Sequence, residues 1–413
     1  MHNQSHPSIA EVDLFSSFNN KKLVEYRMLR LTKRQQEVYD FVVGHPKKHV
    51  FVHGPAGTGK SVIRDKILSD GDVLTLGPTG ISIDGCKNSM TIARFCARPP
   101  KKLYSTILLE EAGMITSSDF DDLERVCVAQ GGGFSKQRLV FILDLRQMQP
   151  VGGSYFFEGS SWISVSRSLM VFNLTENLRI IDKDAEARDE LMFFLNRLRY
   201  AEFFNSSRAM GLLDHVISRR LPRKDAVWLC TTNALANKIN KEKLDTVEDE
   251  VFTVYNDKNE RRLSAFIGAN VQVTKNVYAN KTLVVANGTV GKIVSTGGIK
   301  RGDCVRITPS CAITIKTSEN KTVRLKPVKD NNGDLYFGLT LAYALTLHRA
   351  QGLSFDSIVV VNDGQRKLTL AEAYTAFSRV RCLSGVSTVN VTSWSIAQGE
   401  QSTISFMRSM GLV

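Results

Sequence analysis

Short apolar runs alternate along the chain with longer segments in which apolar residues recur at helical spacing. Each run has the length of a strand that is buried on both faces of a parallel sheet. The runs lie at residues 49–52, 73–76, 105–109, 139–143, 171–174, 227–230, 357–361 and 386–391. A helix capped by Thr32 is predicted at 33–43. Because helix-length segments separate several of the runs, the pattern predicts an α/β fold of the doubly wound type.

The pattern changes between residues 251 and 337, where short alternating strands are separated by Gly and Asn turns. This arrangement is typical of a small all-β barrel, here inserted between α/β segments. The predicted parts are a polar N-terminal lead at 1–30, a first α/β domain at 31–175, a second α/β domain at 176–250 and 338–413, and the β insertion at 251–337.

The composition adds a strong positive charge: 54 Lys and Arg against 41 Asp and Glu among 413 residues give +13. This excess favours a polyanionic partner, nucleic acid or an anionic membrane, although a generally basic surface with no such partner is the alternative. No apolar run approaches the ~20 residues of a membrane span, and the N-terminus lacks the apolar core of a signal peptide. A soluble, intracellular protein is therefore expected. The 7 cysteines never form a C-x-x-C pair, which argues against a zinc site and a disulfide framework.

One local motif carries recognisable chemistry, a complete G-x-x-x-x-G-K-[ST] string between a predicted strand and a predicted helix. It consists of Gly54, Pro55, Ala56, Gly57, Thr58, Gly59, Lys60 and Ser61. In such a loop the backbone N–H groups surround the β-phosphate of a nucleotide, the lysine contacts the β- and γ-phosphates, and the hydroxyl binds Mg²⁺. The motif predicts ATP and Mg²⁺ as ligands.

Two later strand ends supply the polar groups that a phosphate loop requires. Glu110 and Glu111 follow the run at 105–109, where Glu110 is expected on the magnesium side and Glu111 as the base that orients water. Taken alone, such a pair is more often a solvated strand end, but its position one strand-helix-strand beyond the phosphate loop favours the catalytic interpretation. Asp144 and Gln147 follow the run at 139–143, and both are expected at the carboxyl edge of the sheet, where they would sense the γ-phosphate.

Eight segments in order along the chain resemble the motifs of the superfamily 1B DNA helicases, most closely the Pif helicases, with the phage Dda and bacterial RecD enzymes as relatives. They read LTKRQQEVYDFV, GPAGTGKS, GPTGISIDG with TIARF, LLEEAGMI, LDLRQMQPV, LTENLRI, ALTLHRAQGLSFD and AYTAFSRVRC. The resemblance implies two RecA-like domains, an SH3-like inserted barrel, and ATP-driven movement from 5′ to 3′ on single-stranded DNA. A compact chain of this kind would suit a phage or a large DNA virus.

The same resemblance implies roles for single residues of the nucleotide site. Gln35 matches the glutamine that reads the adenine edge, and Gly352 is counted among the nucleotide-binding residues. Catalytic roles are implied for Lys60, Glu111, Gln147, Arg179 and Arg379, and magnesium contacts for Ser61 and Glu110. Arg179 and Arg379 would reach the γ-phosphate from the second domain.

DNA contacts are also implied by the resemblance. They fall on Thr79, Thr91, Phe95, Asn233, Lys275, His348 and Gln351. Phe95 could stack on a base, or it could equally be a core aromatic residue, and Asn233 could simply cap a helix. The expected partners are single-stranded DNA and a duplex with a 5′ tail, and the expected assembly is a monomer.

Departures from the family pattern leave alternatives open. Glu110 stands where relatives usually have Asp, and the short segment between Thr91 and Glu110 leaves little room for the β-hairpin (1B) that splits duplex in relatives. Strand separation could therefore need a protein partner. The alternatives are a nucleic-acid-binding scaffold with weak ATPase activity and an RNA helicase. The process, whether replication, repair or recombination, and the compartment, whether nuclear, mitochondrial or viral, stay open.

Overall fold

The computed structural model describes residues 30–178, 185–200, 222–247, 251–279, 282–300, 302–318, 320–330, 332–392, 396 and 401–412. Most of the predicted lead at 1–30 therefore lies outside the described residues. Within the described parts, no helix has the length and apolar character needed to cross a membrane.

The first α/β domain is built on a parallel sheet with the strand order β3-β2-β4-β5-β1-β6. Its strands are β1 (His49–His53), β2 (Val73–Gly77), β3 (Ser89–Thr91), β4 (Thr106–Glu110), β5 (Arg138–Leu143) and β6 (Leu169–Asn173). Its helices are α1 (Lys33–Gly44), α2 (Lys60–Asp70), α3 (Ile92–Ala97), α4 (Ser117–Ala129) and α5 (Trp162–Ser166). The predicted cap of α1 is confirmed, because the Thr32 side chain accepts from the Gln35 backbone N–H.

Side chains of the central strands enter two separate cores, one on each face of this sheet. Phe51 of β1 packs with Ile107 and Phe141 on one face, whereas its neighbours Val50 and Val52 pack against the helices of the other face. Alternate residues of a strand point to opposite faces, so a continuous apolar run is what a sheet covered on both faces requires. The predicted α/β fold class is confirmed.

The second α/β domain begins with α6 (Ala185–Tyr200), β7 (Val227–Cys230) and α7 (Asn233–Asp245). The chain then enters the predicted β region. Its strands are β8 (Phe252–Tyr255), β9 (Arg261–Ala265), β10 (Asn270–Val273), β11 (Val277–Ala279), β12 (Thr282–Val285), β13 (Val290–Ser295), β14 (Cys304–Arg306), β15 (Ile313–Thr317), β16 (Thr322–Leu325), β17 (Val328–Lys329), β18 (Leu335–Tyr336) and β19 (Leu339–Leu341).

The β insertion contains an antiparallel sheet of order β16-β15-β13-β10-β19, beside the smaller sheet β14-β8-β9. Residues of both sheets, among them Val254, Val271 and Ile315, share one hydrophobic core. The insertion is therefore a packed unit of its own, and it includes β19, just beyond the predicted boundary at residue 337. Its likeness to an SH3 barrel stays a prediction.

The second domain resumes with β20 (Ala344–Thr346), α8 (Leu347–Ala350), β21 (Ile358–Val361), α9 (Leu370–Phe377) and β22 (Val386–Val389). Its parallel sheet has the order β20-β7-β21-β22, so strands from before and after the insertion complete one sheet. Helix α6 packs into the same core through Leu191 and Phe194.

The final helix, α10 (Gln401–Ser409), does not follow the predicted division. Residues 338–413 were assigned to the second domain, but Met407 and Leu412 are buried in the core of the first domain. The Phe406 ring stacks on Phe157, with 3.8 Å between the ring centroids. An amphipathic pattern shows which face of a helix is buried but not which domain covers it, and this explains the error.

Candidate nucleotide site and nucleic-acid surface

The phosphate loop joins the end of β1 to the start of α2, as its sequence context predicts. Gly57 and Gly59 have φ angles of 88° and 74°, a region that side chains rarely adopt. A Cβ atom on Gly59 would also lie 2.4 Å from Gln35 Nε2, so a side chain there would displace the Gln35 amide from the loop. Lys60 folds back over the loop, and its Nζ donates to the carbonyl oxygens of Gly54 at 2.8 Å and Pro55 at 3.0 Å.

Gln35 fastens helix α1 to the phosphate loop. Its Nε2 donates to Thr58 O at 3.2 Å and Gly59 O at 3.4 Å, while its Oε1 accepts from the Thr32 backbone N–H at 2.9 Å. The side chain is buried beside the loop. Its implied role at an adenine edge stays a prediction.

The acidic pair occupies the end of β4, and its two members differ. Glu110 is buried and forms an ion pair with Arg64 of α2, with 3.3 Å between Oε1 and Nη1. Burial raises the pKa of Glu110 to about 7, although the Arg64 charge opposes this shift. The other oxygen, Oε2, is buried and has no hydrogen-bond partner among the described residues. Glu111 has a left-handed backbone, φ 49°, and its Oε2 accepts from Gln351 Nε2 at 3.4 Å.

The donor set fits a magnesium ion. Mg²⁺ prefers oxygen ligands and keeps several waters, so it is bound through one or two carboxylates and the phosphates of a nucleotide. The unpartnered Oε2 of Glu110 is such an oxygen, and Ser61 lines the same cleft at the start of α2.

The cleft itself has a volume of about 410 Å³ and lies between the two α/β domains. From the first domain it is lined by the phosphate loop, by Glu110 and Glu111, and by Gln147. From the second domain Gly352 and Arg379 reach it. The structure thus brings together most of the predicted nucleotide-site residues, although their individual roles stay predictions.

Arg379 is buried at the second-domain wall of the cleft. Its guanidinium donates to Thr375 O at 2.9 Å, Ser378 Oγ at 2.8 Å and Leu353 O at 3.3 Å. These contacts hold a cation opposite the phosphate loop. Arg179 lies outside the described residues, but the segment before it contacts the loop, because the Leu178 backbone N–H donates to Gly57 O at 2.7 Å.

Gln351 was predicted to contact DNA, and the structure contradicts this. The side chain is only 4% exposed. Its Nε2 faces Glu111 Oε2 and, at 3.5 Å, Gln147 Oε1. Gln351 therefore connects the second domain to the nucleotide cleft. The sequence match to a DNA-binding strip did not predict this position.

Phe95 belongs to the core, so the base-stacking interpretation is wrong. It is 1% exposed and packs within the apolar cluster of the first domain, as an aromatic residue on the inner face of α3. The alternative stated from the sequence, a core aromatic residue, holds.

The remaining DNA candidates are accessible at least in part, and their roles stay predictions. Thr79 accepts from the Ser82 backbone N–H at 3.3 Å, and Thr91 caps α3. Asn233 and His348 are exposed, and the cap of α7 is Thr232 rather than Asn233. Lys275 Nζ donates to Lys329 O at 2.7 Å.

The β insertion contacts the first domain beside Thr79. A Cβ atom on Gly80 would lie 2.4 Å from Asn276 Oδ1 and 3.2 Å from the Asn287 backbone nitrogen. The same Asn276 Oδ1 accepts from the Asn287 N–H at 2.7 Å. Glycine at position 80 therefore permits the turn before Thr289 to lie directly against the GPTG segment.

Sequence reasoning missed a buried polar cluster beside the cleft. It contains His53, Asp144, Arg199 and Tyr374, all at most 3% exposed. Arg199 Nη1 donates to Asp144 Oδ1 at 2.8 Å, and the Tyr374 hydroxyl donates to Asp144 Oδ2 at 2.9 Å. Tyr374 lies inside the AYTAFSRVRC segment, where a polar group in an apolar helix was a usable signal; Arg199 gave none.

Fold and site together define a class: a P-loop nucleotide-binding protein in which two parallel-sheet domains enclose the nucleotide cleft. No family model matches the chain. Sequence relatives are the ATP-dependent DNA helicase PIF1 of Xenopus laevis, 25% identical over 410 residues with 87% of this chain and 61% of that protein covered, and Pif1 of Psychrobacter sp., 22% identical over 449 residues with 84% and 67% covered.

Solved structures of Pif1 helicases have the same fold as this chain. The Bacteroides Pif1 helicase in complex with ADP-AlF3 and single-stranded DNA matches with a TM-score of 0.71 and 21% identity, covering 93% of this chain and 98% of that one. Candida albicans Pif1 helicase matches with a TM-score of 0.70 and 19% identity, covering 93% and 99%. The chain is thus similar in sequence to proteins named Pif1 helicases, and it shares the fold of the solved Pif1 helicases. It spans about three fifths of the PIF1 proteins of Xenopus laevis and Danio rerio.

Proposed function

We propose that this protein is an ATP-dependent DNA helicase that couples ATP hydrolysis to 5′-to-3′ movement on single-stranded DNA and to duplex unwinding. The observation that carries the proposal is the cleft in which Lys60 of the first domain and Arg379 of the second line one cavity. The names of the sequence relatives, and a related structure holding ADP-AlF3 and single-stranded DNA, support it.

The chemistry follows from the positions of these side chains. Lys60 supplies a positive charge to the β- and γ-phosphates, and Ser61 with the Glu110 Oε2 would hold Mg²⁺, which when bound neutralises phosphate charge. Glu111, on the same side of the cleft, orients the attacking water and accepts its proton. Arg379 completes the charge around the γ-phosphate only when the second domain closes on the first.

Movement along DNA requires that closure change the grip on the strand. Gln351 joins the second domain to Glu111 and Gln147 in the cleft, and exposed His348 lies three residues before it. Through Gln351 and His348, a change at the γ-phosphate can therefore affect a surface that resembles the DNA-binding strip of relatives. Accessible Thr79, Asn233 and Lys275 provide further candidate contacts.

The test is a set of ATPase and unwinding assays with 5′-tailed duplex, 3′-tailed duplex and RNA in parallel. The proposal expects ATPase stimulated by single-stranded DNA and unwinding of the 5′-tailed duplex only. Unwinding of the 3′-tailed duplex alone would contradict the polarity, and stimulation by RNA alone would favour an RNA helicase.

A second candidate is a nucleic-acid-binding scaffold with weak ATPase activity. The specific observation in its favour is the Arg64–Glu110 ion pair, which places a cation beside the carboxylate that is proposed to bind magnesium. The connection from α3 to β4 is also short, and its residues 98–105 form no helix or strand. ATPase activity of the natural protein equal to that of a Glu110→Asp variant would exclude this candidate.

Partners and setting follow from the same proposal. The chain would act on single-stranded DNA and on duplex with a 5′ tail, as a monomer, in DNA replication, repair or recombination. A related structure shows two coordinating Pif1 helicases at forked DNA, so a second protein could assist strand separation where the 1B segment is short. The site of action would be wherever that DNA is, in the nucleus, the mitochondrion or a viral or phage replication site.

A further inference from the structure

The buried hydroxyl of Tyr374 makes one of the contacts between the two α/β domains. Tyr374 belongs to α9 of the second domain and is 2% exposed. Its hydroxyl accepts from the backbone N–H of Ala56 in the phosphate loop at 3.1 Å and donates to Asp144 Oδ2 after β5 at 2.9 Å. One side chain of the second domain thus contacts two cleft-forming loops of the first.

Arg199 makes a second connection to the same carboxylate from α6. Its Nη1 donates to Asp144 Oδ1 at 2.8 Å, so both oxygens of Asp144 are bound by the second domain. Its Nη2 lies 3.2 Å from Nε2 of His53, the residue immediately before the phosphate loop. The His53 Nδ1 lies 3.2 Å from Asn173 Oδ1, an arrangement that fits a neutral ring donating from Nδ1 and accepting at Nε2. Burial and the Arg199 charge lower the pKa of His53 to about 3, which agrees.

This arrangement is strongly directional. A buried ion pair contributes little net stability, but separating its partners is costly because it leaves buried charges uncompensated. Here those groups belong to different domains. A displacement of the second domain that separates Arg199 from Asp144 would therefore leave two buried charges unpaired.

The cluster also connects directly to the reacting groups. Asp144 Oδ2 accepts from Gln147 Nε2 at 3.3 Å as well as from Tyr374, and Gln147 lines the cleft. On the other side, Arg379 Nε donates to Thr375 O, and Thr375 adjoins Tyr374 in the chain. The Tyr374 hydroxyl is therefore linked to Gln147 through Asp144 Oδ2, and the Tyr374 residue is linked to Arg379 through the backbone of the adjoining Thr375.

We propose that Tyr374, Arg199 and Asp144 form an interdomain latch whose members are positioning residues for hydrolysis: they set the distance of Arg379 and Gln147 from the bound triphosphate. The inference rests on the proposed ATPase function and extends it. It also assigns Asp144 a different role from the γ-phosphate sensor expected from the sequence, because both of its oxygens are occupied by the second domain.

The test compares Tyr374→Phe with the matched control Tyr343→Phe. Tyr343 carries another hydroxyl that accepts one backbone N–H, that of Asn270 at 3.4 Å, away from the cleft. The latch predicts that Tyr374→Phe lowers the DNA-stimulated kcat by about 10- to 100-fold and leaves the KM for ATP within a few-fold, since displaced catalytic groups affect the chemical step. Tyr343→Phe should retain the natural kcat.

A double-variant cycle separates positioning from simple structural support. If Tyr374 acts through Asp144, the kcat of Tyr374→Phe with Asp144→Asn will equal that of the worse single variant, and independent effects would multiply instead. Arg199→Lys, which keeps the charge but cannot bridge as the guanidinium does, should show the same kcat loss with unchanged KM. The Arg199→Lys variant replaces Tyr374→Phe as the test if circular dichroism shows that Tyr374→Phe is unfolded.

The outcomes distinguish this inference from the proposed function. A natural protein without DNA-stimulated ATPase activity would overturn the function and the latch together. If the natural protein is active, three results would overturn the latch alone. They are an unchanged kcat in a folded Tyr374→Phe or Arg199→Lys protein, a defect confined to KM, and multiplicative effects in the double-variant cycle.

Discussion

Lys60 and Arg379 face one cleft from two different domains, and a different local structure positions each of them. Lys60 is the first residue of α2, so its position follows from the glycine-rich turn before it. Arg379 follows the end of α9 and is oriented by three acceptors in its own domain. Their roles can therefore be tested one at a time.

Lys60→Ala should abolish ATP hydrolysis and leave nucleotide-free DNA binding within a few-fold, because the lysine charge serves the phosphates and not the DNA surface. Turnover is measured with saturating single-stranded DNA, and binding by fluorescence anisotropy. Turnover at the natural rate would remove Lys60 from this role, and a parallel loss of DNA affinity would point to misfolding.

Arg379→Ala should lower kcat by about 10³ or more with a modest effect on ATP affinity, since an arginine finger acts mainly in the transition state. Arg381→Ala is the matched control, because Arg381 is exposed two positions further on. A change in KM alone would identify Arg379 as an ordinary ATP-binding residue.

The sequence could predict residues whose partners are close along the chain, but not those whose partners are distant. The phosphate loop is one contiguous string, so spacing alone identified it. Arg199 and Asp144 are separated by 55 positions, and Tyr374 and Asp144 by 230. Only the packing of two domains brings these groups together, and the contacts of Gln351 with Glu111 and Gln147 depend on the same packing. The burial of Phe95 depends on packing within the first domain.

At the scale of the element, strand β1 begins and ends on a buried histidine. The backbone N–H of Leu139 donates to Nδ1 of His49 at 3.0 Å, which requires an unprotonated nitrogen there. Burial is the main cause that lowers the pKa of His49 to about 4 and that of His53 to about 3. The strand was readily predicted from its apolar run, whereas the protonation of its ends depends on neighbours in space.

These histidines should make the protein sensitive to acid. Below pH 6.5 the unfolded chain binds protons that the folded protein does not, so the free energy of unfolding falls as pH falls toward about 4. Each histidine contributes up to about 1.4 kcal/mol per pH unit in that window. Urea unfolding at pH 7 and pH 5 measures the loss, and His49→Asn should reduce it. An equal pH dependence in the variant would contradict this account.

At the scale of the whole molecule, the net charge of +13 is carried by a chain whose nucleotide cleft is enclosed by two domains and whose β insertion contacts the first of them beside Thr79. Composition alone indicated a polyanionic partner but no location. The exposed Asn233 and His348 of the second domain and the partly accessible Thr79 and Lys275 stay the predicted contacts of such a partner.

The affinity for single-stranded DNA should therefore decrease steeply with salt, because each phosphate that is neutralised releases a counterion, with a slope of about −0.7 per contact in a plot of log K against log salt. Lys275→Ala should reduce that slope by about one contact. A titration from low to moderate salt gives both slopes. A flat dependence would show that the positive charge is not used for phosphate contacts.

The return of α10 to the first domain has a mechanical consequence. The chain leaves the first domain after β6 and comes back to it at α10, whose Phe406 lies beside Phe157 and Trp162, the latter just before β6. The chain therefore connects the two α/β domains twice, so the domains can move apart only as far as both connections allow or if α10 leaves the core of the first domain.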